Sequence, residues 1–178
     1  LAKTEMTLIL QTAIWRATNK MGIFSCHEVG IGSGKKMEIV DFLTYNTKGE
    51  WRCFEIKVSK QDFYSKHKKT FVGNFNYYVM PPELYEQVKQ DIPKDIGVYT
   101  YYPKANKQCP WLHCCKKAKR KELIVNKDIL IYSLIKSFSR EYDKIIKGTK
   151  PLSTWYDYQL EDELKNRGYK INNKDIFE

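Results

Sequence analysis

Between Lys3 and Lys20 the apolar residues Met6, Ile9, Leu10, Ala13, Ile14 and Ala17 recur at the three-and-four spacing of a helix with one buried stripe. Thr4 or an earlier residue starts this helix and Gly22 ends it. Ile23 to Val29 then reads as a short strand, and the glycines of Gly30-Ile31-Gly32-Ser33-Gly34 interrupt regular structure. Met37 to Tyr45 alternates strictly, with Met37, Ile39, Asp41 and Leu43 on one face and Val40 and Phe42 on the other. An aspartate therefore shares a face with apolar side chains. Asn46-Thr47-Lys48-Gly49 is a turn by composition, and Glu50 to Val58 returns as a second strand, which predicts an antiparallel hairpin.

Ser59-Lys60-Gln61-Asp62 has the form of a helix start, and a short basic helix is expected after it. Phe75 to Met80 is aromatic and β-branched enough for a strand that Pro81-Pro82 stops, and Glu83 to Gln90 follows as a helix with proline in its first turn. Gly97 to Tyr102 is a further strand, with Trp111 to Ala118 as its partner across a loop, which would set Lys116 and Lys117 on a sheet edge or rim. Asn126 is the expected N-cap of a long helix to Ile146, with Ile131, Leu134, Ile135, Phe138, Tyr142 and Ile145 on its buried side. A last helix is expected near Ser153 to Arg167, ended by Gly168. The order predicts an α/β protein, a mixed sheet flanked by helices, with a core over 1–122 and a helical extension over 123–178 packed on the same domain.

Composition narrows the partners. The 178 residues hold 31 Lys and Arg against 21 Asp and Glu, a formal charge of +10, and an apolar fraction of 42 % that is enough for a core. Both the apolar and the charged content are those of a folded chain rather than a disordered one. No stretch has the length and apolarity of a membrane-spanning helix, and the amino terminus lacks the succession of a secretory signal, so no membrane partner is expected. Five cysteines suit free thiols in a reducing compartment, and a cytoplasmic location is the expectation. The positive charge is clustered. From Tyr101 to Lys121 seven basic residues, among them Lys116, Lys117, Lys119 and Arg120, meet no acidic one, and Lys57 to Lys69 adds Lys60, Lys66, Lys68 and Lys69 around the single Asp62. Either run alone reads as a solvated face, whereas two runs flanking one reactive cluster point to a polyanion such as DNA.

That cluster is Asp41, Glu55 and Lys57. A hairpin turning at Asn46 to Gly49 brings positions 41 and 55 to one level on neighbouring strands, and alternation puts Glu55 and Lys57 on one face. Two carboxylates so placed repel unless a cation lies between them, and hard oxygen ligands completed by water and phosphate suit Mg²⁺, with Mn²⁺ as a substitute. A lysine two residues on can position or help deprotonate an attacking water, which is the chemistry of phosphodiester hydrolysis. The same three residues would also serve as a salt-bridged patch on a solvent-facing sheet. The apolar parities around them, Ile39 and Leu43 beside Asp41 and Phe54, Ile56 and Val58 behind Glu55, instead predict a sheet covered on both faces with the charges in a cleft.

Three runs, Met37-Glu38-Ile39-Val40-Asp41-Phe42, Trp51 to Phe63 with its Glu55-Ile56-Lys57-Val58-Ser59-Lys60-Gln61-Asp62-Phe63, and Asn76-Tyr77-Tyr78-Val79-Met80-Pro81, resemble the PD-(D/E)XK nuclease superfamily. Within it the chain is most similar to the MmcB-like DNA-repair group and small phage-borne relatives, over roughly residues 5 to 120. The resemblance implies a restriction-endonuclease-like core and a Mg²⁺-dependent deoxyribonuclease serving DNA repair, recombination or phage DNA processing. It makes Asp41 and Glu55 metal ligands, adds the backbone carbonyl of Ile56 as a third oxygen, and makes Lys57 the catalytic lysine. A further carboxylate from the first helix or strand is common in the family, with Glu5 and Glu28 as candidates, and a homodimer is a common assembly. Val40 stands where the family's proline would be, and Gln61 and Tyr64 are too close together for the signature of the RecB-like branch.

Other motifs carry less. Cys109, His113, Cys114 and Cys115 lack the paired spacing of a zinc site, and Phe71, Phe75, Tyr77 and Tyr78 read as core before they read as base-stacking residues. The loop from Gly30 to Gly34 precedes a strand and lacks a Gly-Lys-Ser/Thr ending, so its expected role is an approach to the cleft, with Ser33 and Lys35 in reach of a phosphate. The competing function is a DNA-binding module that retains the nuclease fold without catalysis.

Overall fold

The computed structural model describes residues 4–32, 37–65, 71–102 and 111–148. Helix α1 (Glu5–Thr18) begins where Thr4 accepts the Thr7 N–H through its hydroxyl at 3.3 Å, the N-cap that offsets an orphan amide of the first turn. Strands β1 (Ile23–Ile31), β2 (Glu38–Asn46) and β3 (Trp51–Ile56) follow as an antiparallel meander. The β2–β3 turn is closed by Asn46, whose Oδ1 accepts the N–H groups of Lys48 and Glu50, each at 3.0 Å. A single helical turn, α2 (Lys60–Phe63), then leads to β4 (Phe75–Met80), which pairs parallel with β3. Helix α3 (Pro82–Val88) and a 3-10 turn (Lys89–Asp91) carry the chain to β5 (Gly97–Tyr102), parallel to β4, and β6 (Trp111–Lys116) closes the edge antiparallel to it.

The result is an α/β protein with a six-stranded mixed sheet in the order β1-β2-β3-β4-β5-β6, with helices on both faces. On one face, Leu10 and Ile14 of α1 bury Phe42, Phe54, Ile56, Tyr77 and Val79. On the other, Leu130 and Leu134 of helix α4 (Lys127–Gly148) close over Leu43, Trp51 and Cys53, while Phe63, Leu84 and Val88 cover Tyr78, Met80 and Val98. The chain divides into two compact units, Leu1–Phe138 and Ser139–Glu178, with the division inside α4. No helix among the described residues is long and apolar enough to cross a membrane.

Helix α4 is rotated from the orientation that its apolar periodicity predicts. Leu130, Ser133, Leu134 and Ser137 are buried, whereas Ile135, Phe138, Tyr142 and Ile145 of the expected core stripe are exposed. Small serines let a helix approach a sheet closely, so the packed face is set by size as well as by apolarity. The basic helix expected after Ser59 is one turn long within the described residues, and β3 ends at Ile56 rather than Val58. The last helix expected near Ser153 to Arg167 lies outside the described residues.

Candidate active site

Strands β2 and β3 pair as Phe42↔Phe54, Leu43↔Cys53, Thr44↔Arg52 and Tyr45↔Trp51. One step beyond the Phe42↔Phe54 pair, Asp41 faces Glu55, so both carboxylates leave the sheet at one level. The ladder stops there because Asp41 intervenes: its Oδ2 accepts the Ile56 N–H at 2.8 Å, a bond that a strand carbonyl would otherwise take. Lys57 remains tied to the sheet on its other side, donating its backbone N–H to Val79 O at 3.0 Å. Strand β1 adds a third carboxylate. The pairs His27↔Phe42 and Val29↔Val40 bring Glu28 level with Asp41, and Glu28 has φ +51°, the left-handed region that a non-glycine residue adopts at a cost of about 1–2 kcal/mol.

The side chains form a chain of charges. Lys57 Nζ lies 3.1 Å from Glu55 Oε1 and 3.4 Å from Asp62 Oδ1. Glu55 and Lys57 are 8 % and 5 % exposed, so this pair is interior rather than a rim salt bridge. Burial, and then the charge of Asp41, push Glu55 up from 4.5 to about 7, with Lys57 opposing. Burial also raises Asp41, against the lowering effect of the Ile56 N–H, and the charges it feels most are Lys57, Asp62 and Glu28. For Lys57 burial disfavours the ammonium, but Glu55, Asp62 and Asp41 outweigh it and its pKa is raised.

The donor set fits a divalent cation. Two carboxylates that burial raises, Glu55 also by the charge of Asp41, joined by a backbone carbonyl, are hard oxygen ligands, and Mg²⁺ takes a few of these and keeps water on its remaining positions. Ile56 fits the third place: its N–H points to β2, and a strand residue sends its carbonyl out on the same side. Among the described residues no three His, Cys, Asp or Glu side chains are gathered as a ready metal cage, so Glu28 stands near Asp41 without closing a three-carboxylate group.

Of the other expected site residues, Glu5 is exposed in the first turn of α1, which packs on the Phe42 and Phe54 face, and is not brought into this group. Lys60 is exposed at the start of α2. Lys117, Lys119 and Arg120 are exposed on the segment after β6, which is held to the fold by Lys119 N–H on Asp95 O at 3.0 Å and Lys121 N–H on Asn74 O at 2.8 Å. Arg120 also pairs with Glu50 at 3.7 Å. Lys116 is not a free surface charge: its Nζ donates to Ile92 O at 3.2 Å and Pro93 O at 2.7 Å. Ser33, Lys35, Lys66, Lys68 and Lys69 lie outside the described residues, as does Cys109. Ile39, expected to cover the carboxylates, is exposed, and Val40 joins Leu43 in one cluster although strict alternation would part them. This break in alternation sits beside the left-handed Glu28. Asp62, read from the sequence as a helix-start residue and as part of the run that carries the resemblance but given no site role, contacts Lys57 at 3.4 Å, and its signal was an acid five positions after Lys57 across a turn.

No protein-family model matches the chain, and no curated protein matches it. Among solved structures it is similar to the SPO1766 protein of unknown function from Silicibacter pomeroyi, at 16 % identity and a TM-score of 0.59, covering 85 % of this chain and 99 % of that one. That likeness supports the α/β fold and carries nothing about activity.

Proposed function

We propose that this protein is a metal-dependent deoxyribonuclease of the PD-(D/E)XK type, hydrolysing DNA phosphodiester bonds at Asp41, Glu55 and Lys57. The observation that carries the reading is the placement of Asp41 opposite Glu55 where β2 and β3 part, with Lys57 buried two residues on. Two acids that burial raises, with the Asp41 charge raising Glu55 further, are a poor choice for stability and a good one for a cation. Asp41, Glu55 and the Ile56 carbonyl would hold Mg²⁺ or Mn²⁺. The ion, when bound, supplies Lewis-acid polarisation of the phosphoryl oxygen and charge stabilisation of the leaving alkoxide. Lys57 would hold the attacking water or a non-bridging phosphate oxygen through Nζ. Lys60, Lys117 and Lys119 lie exposed to receive backbone phosphates, which are the sequence-independent part of DNA affinity. DNA repair, recombination or phage DNA processing is the setting the motifs suit.

The test is cleavage of duplex, single-stranded and branched DNA with Mg²⁺, Mn²⁺ or EDTA, comparing the parent with Lys57→Ala and Glu55→Ala. Metal-dependent cutting that disappears in both variants is the expected result. Salt-sensitive binding without cutting on any substrate would overturn the nuclease and leave a DNA-binding module.

A further inference from the structure

Lys57 is suspended between two acids of unlike setting. Its Nζ is 3.1 Å from Glu55 Oε1, in the interior, and 3.4 Å from Asp62 Oδ1, whose side chain is 37 % exposed. Asp62 is itself fixed twice over. Its Oδ2 accepts the Val58 N–H at 3.1 Å, and its own N–H donates to the Ser59 hydroxyl that caps α2, also at 3.1 Å. The segment from Lys57 to Asp62 is therefore a closed turn, with the acid at its far end returned to the lysine at its start.

We infer that Asp62 is a positioning residue that shares the Lys57 ammonium with Glu55, so that the Glu55 carboxylate can turn to a divalent cation while Lys57 keeps a counter-ion. The inference rests on the nuclease reading above. A buried ammonium does not stay unpaired. Without Asp62, Lys57 would have Glu55 as its one counter-ion in this pair of contacts and compete with a cation for the same oxygens. With Asp62 in place, Glu55 can commit its charge to the cation while Lys57 keeps a partner and stays in the cleft.

The experiment compares the full-length parent with Asp62→Asn, Ser59→Ala and, as a reference with one ligand removed, Glu55→Gln. Asparagine can still accept the Val58 N–H but carries no charge, and Ser59→Ala removes the helix cap without touching Lys57. Mn²⁺ affinity is read by calorimetry, and kcat and KM by DNA cleavage at saturating Mn²⁺. The expected result is that Asp62→Asn weakens Mn²⁺ binding and lowers kcat by about 10-fold or more each, with KM for DNA changed by less than about twofold. Ser59→Ala should leave Mn²⁺ affinity and kcat within about twofold of the parent. Parent-like binding and cutting in Asp62→Asn would overturn the positioning role alone, and an equal loss in Ser59→Ala would replace it with a helix-capping role. A parent that neither binds Mn²⁺ nor cuts would overturn the nuclease reading and this role with it.

Discussion

Asp41 on β2 accepts the Ile56 N–H of β3 through its carboxylate at 2.8 Å, so a side chain takes the place of a strand carbonyl where the two strands separate. The bond gives Asp41 two duties that substitution can part. Asp41→Asn keeps an acceptor for Ile56, and its unfolding free energy should stay within about 1 kcal/mol of the parent. Asp41→Ala leaves a largely buried N–H without a partner and should lose about 1–3 kcal/mol. Both should abolish metal-dependent cleavage. Urea denaturation beside the cleavage assay checks the two duties together, and equal stability losses in the two variants would remove the structural one.

Glu55 makes the fold sensitive to pH in a direction opposite to that of a salt-bridged surface acid. Its pKa rises from 4.5 to about 7 through burial and the Asp41 charge. Between these values the folded chain holds a proton that the unfolded chain has released, so stability from this group is present below pH 4.5 and is lost as pH rises to about 7. The full loss is on the order of 3 kcal/mol. Glu55→Gln should therefore gain on the parent as pH rises through this window, as measured by urea denaturation from pH 4 to pH 8. A constant difference between the two proteins would show that Glu55 ionises normally.

The two faces of α4 predict different costs for the same kind of truncation. Leu130 is fully buried against Leu43 and Trp51, and Leu130→Ala should cost about 2–5 kcal/mol from reduced burial and the cavity left behind. Ile135, five residues on and on another face, is 61 % exposed, and Ile135→Ala should change stability by less than about 0.5 kcal/mol. Denaturant midpoints of the two variants decide it, and a large loss in Ile135→Ala would place that side chain in the core.

The basic segment after β5 divides in the same way. Lys116 is spent on the Ile92 and Pro93 carbonyls, and burial lowers its pKa, so Lys116→Ala should cost about 1 kcal/mol of stability and leave the salt dependence of DNA binding unchanged. Lys117→Ala and Lys119→Ala should leave stability alone and reduce the slope of log K against log salt by about 0.9 for each duplex phosphate that the variant no longer neutralises. Binding titrations at four salt concentrations measure that slope. An equal effect of all three substitutions would mean that Lys116 also reaches the phosphates.

Much of the sheet and the facing of Asp41 and Glu55 were legible in the sequence, because a short Asn-to-Gly turn fixes hairpin register and register fixes which side chains share a level. The same logic failed at Ile39 and Val40, since alternation assumes an extended backbone and Glu28 opposite Asp41 leaves it. It failed on α4 for another reason. Periodicity weighs apolar residues and is blind to Ser133 and Ser137, whose small size lets Leu130 and Leu134 reach the sheet. Asp62 was hidden by a pattern that already explained it, as the helix-start acid after Ser59, while its second bond to Lys57 depends on a turn that no spacing rule reports.

Strand β3 is third of six, with a strand on either side and side chains buried on both faces. Regions of that kind open to solvent last, at free energies near that of global unfolding, whereas edges and helix ends open far more cheaply. Amide exchange at Glu55 and Ile56 should accordingly be among the slowest in the protein, and β6 or the end of α4 can fray without moving the residues on which the proposed chemistry depends. The proposed site is thus as durable as the fold itself, and conditions that disable it short of unfolding must act on its charges rather than on its scaffold.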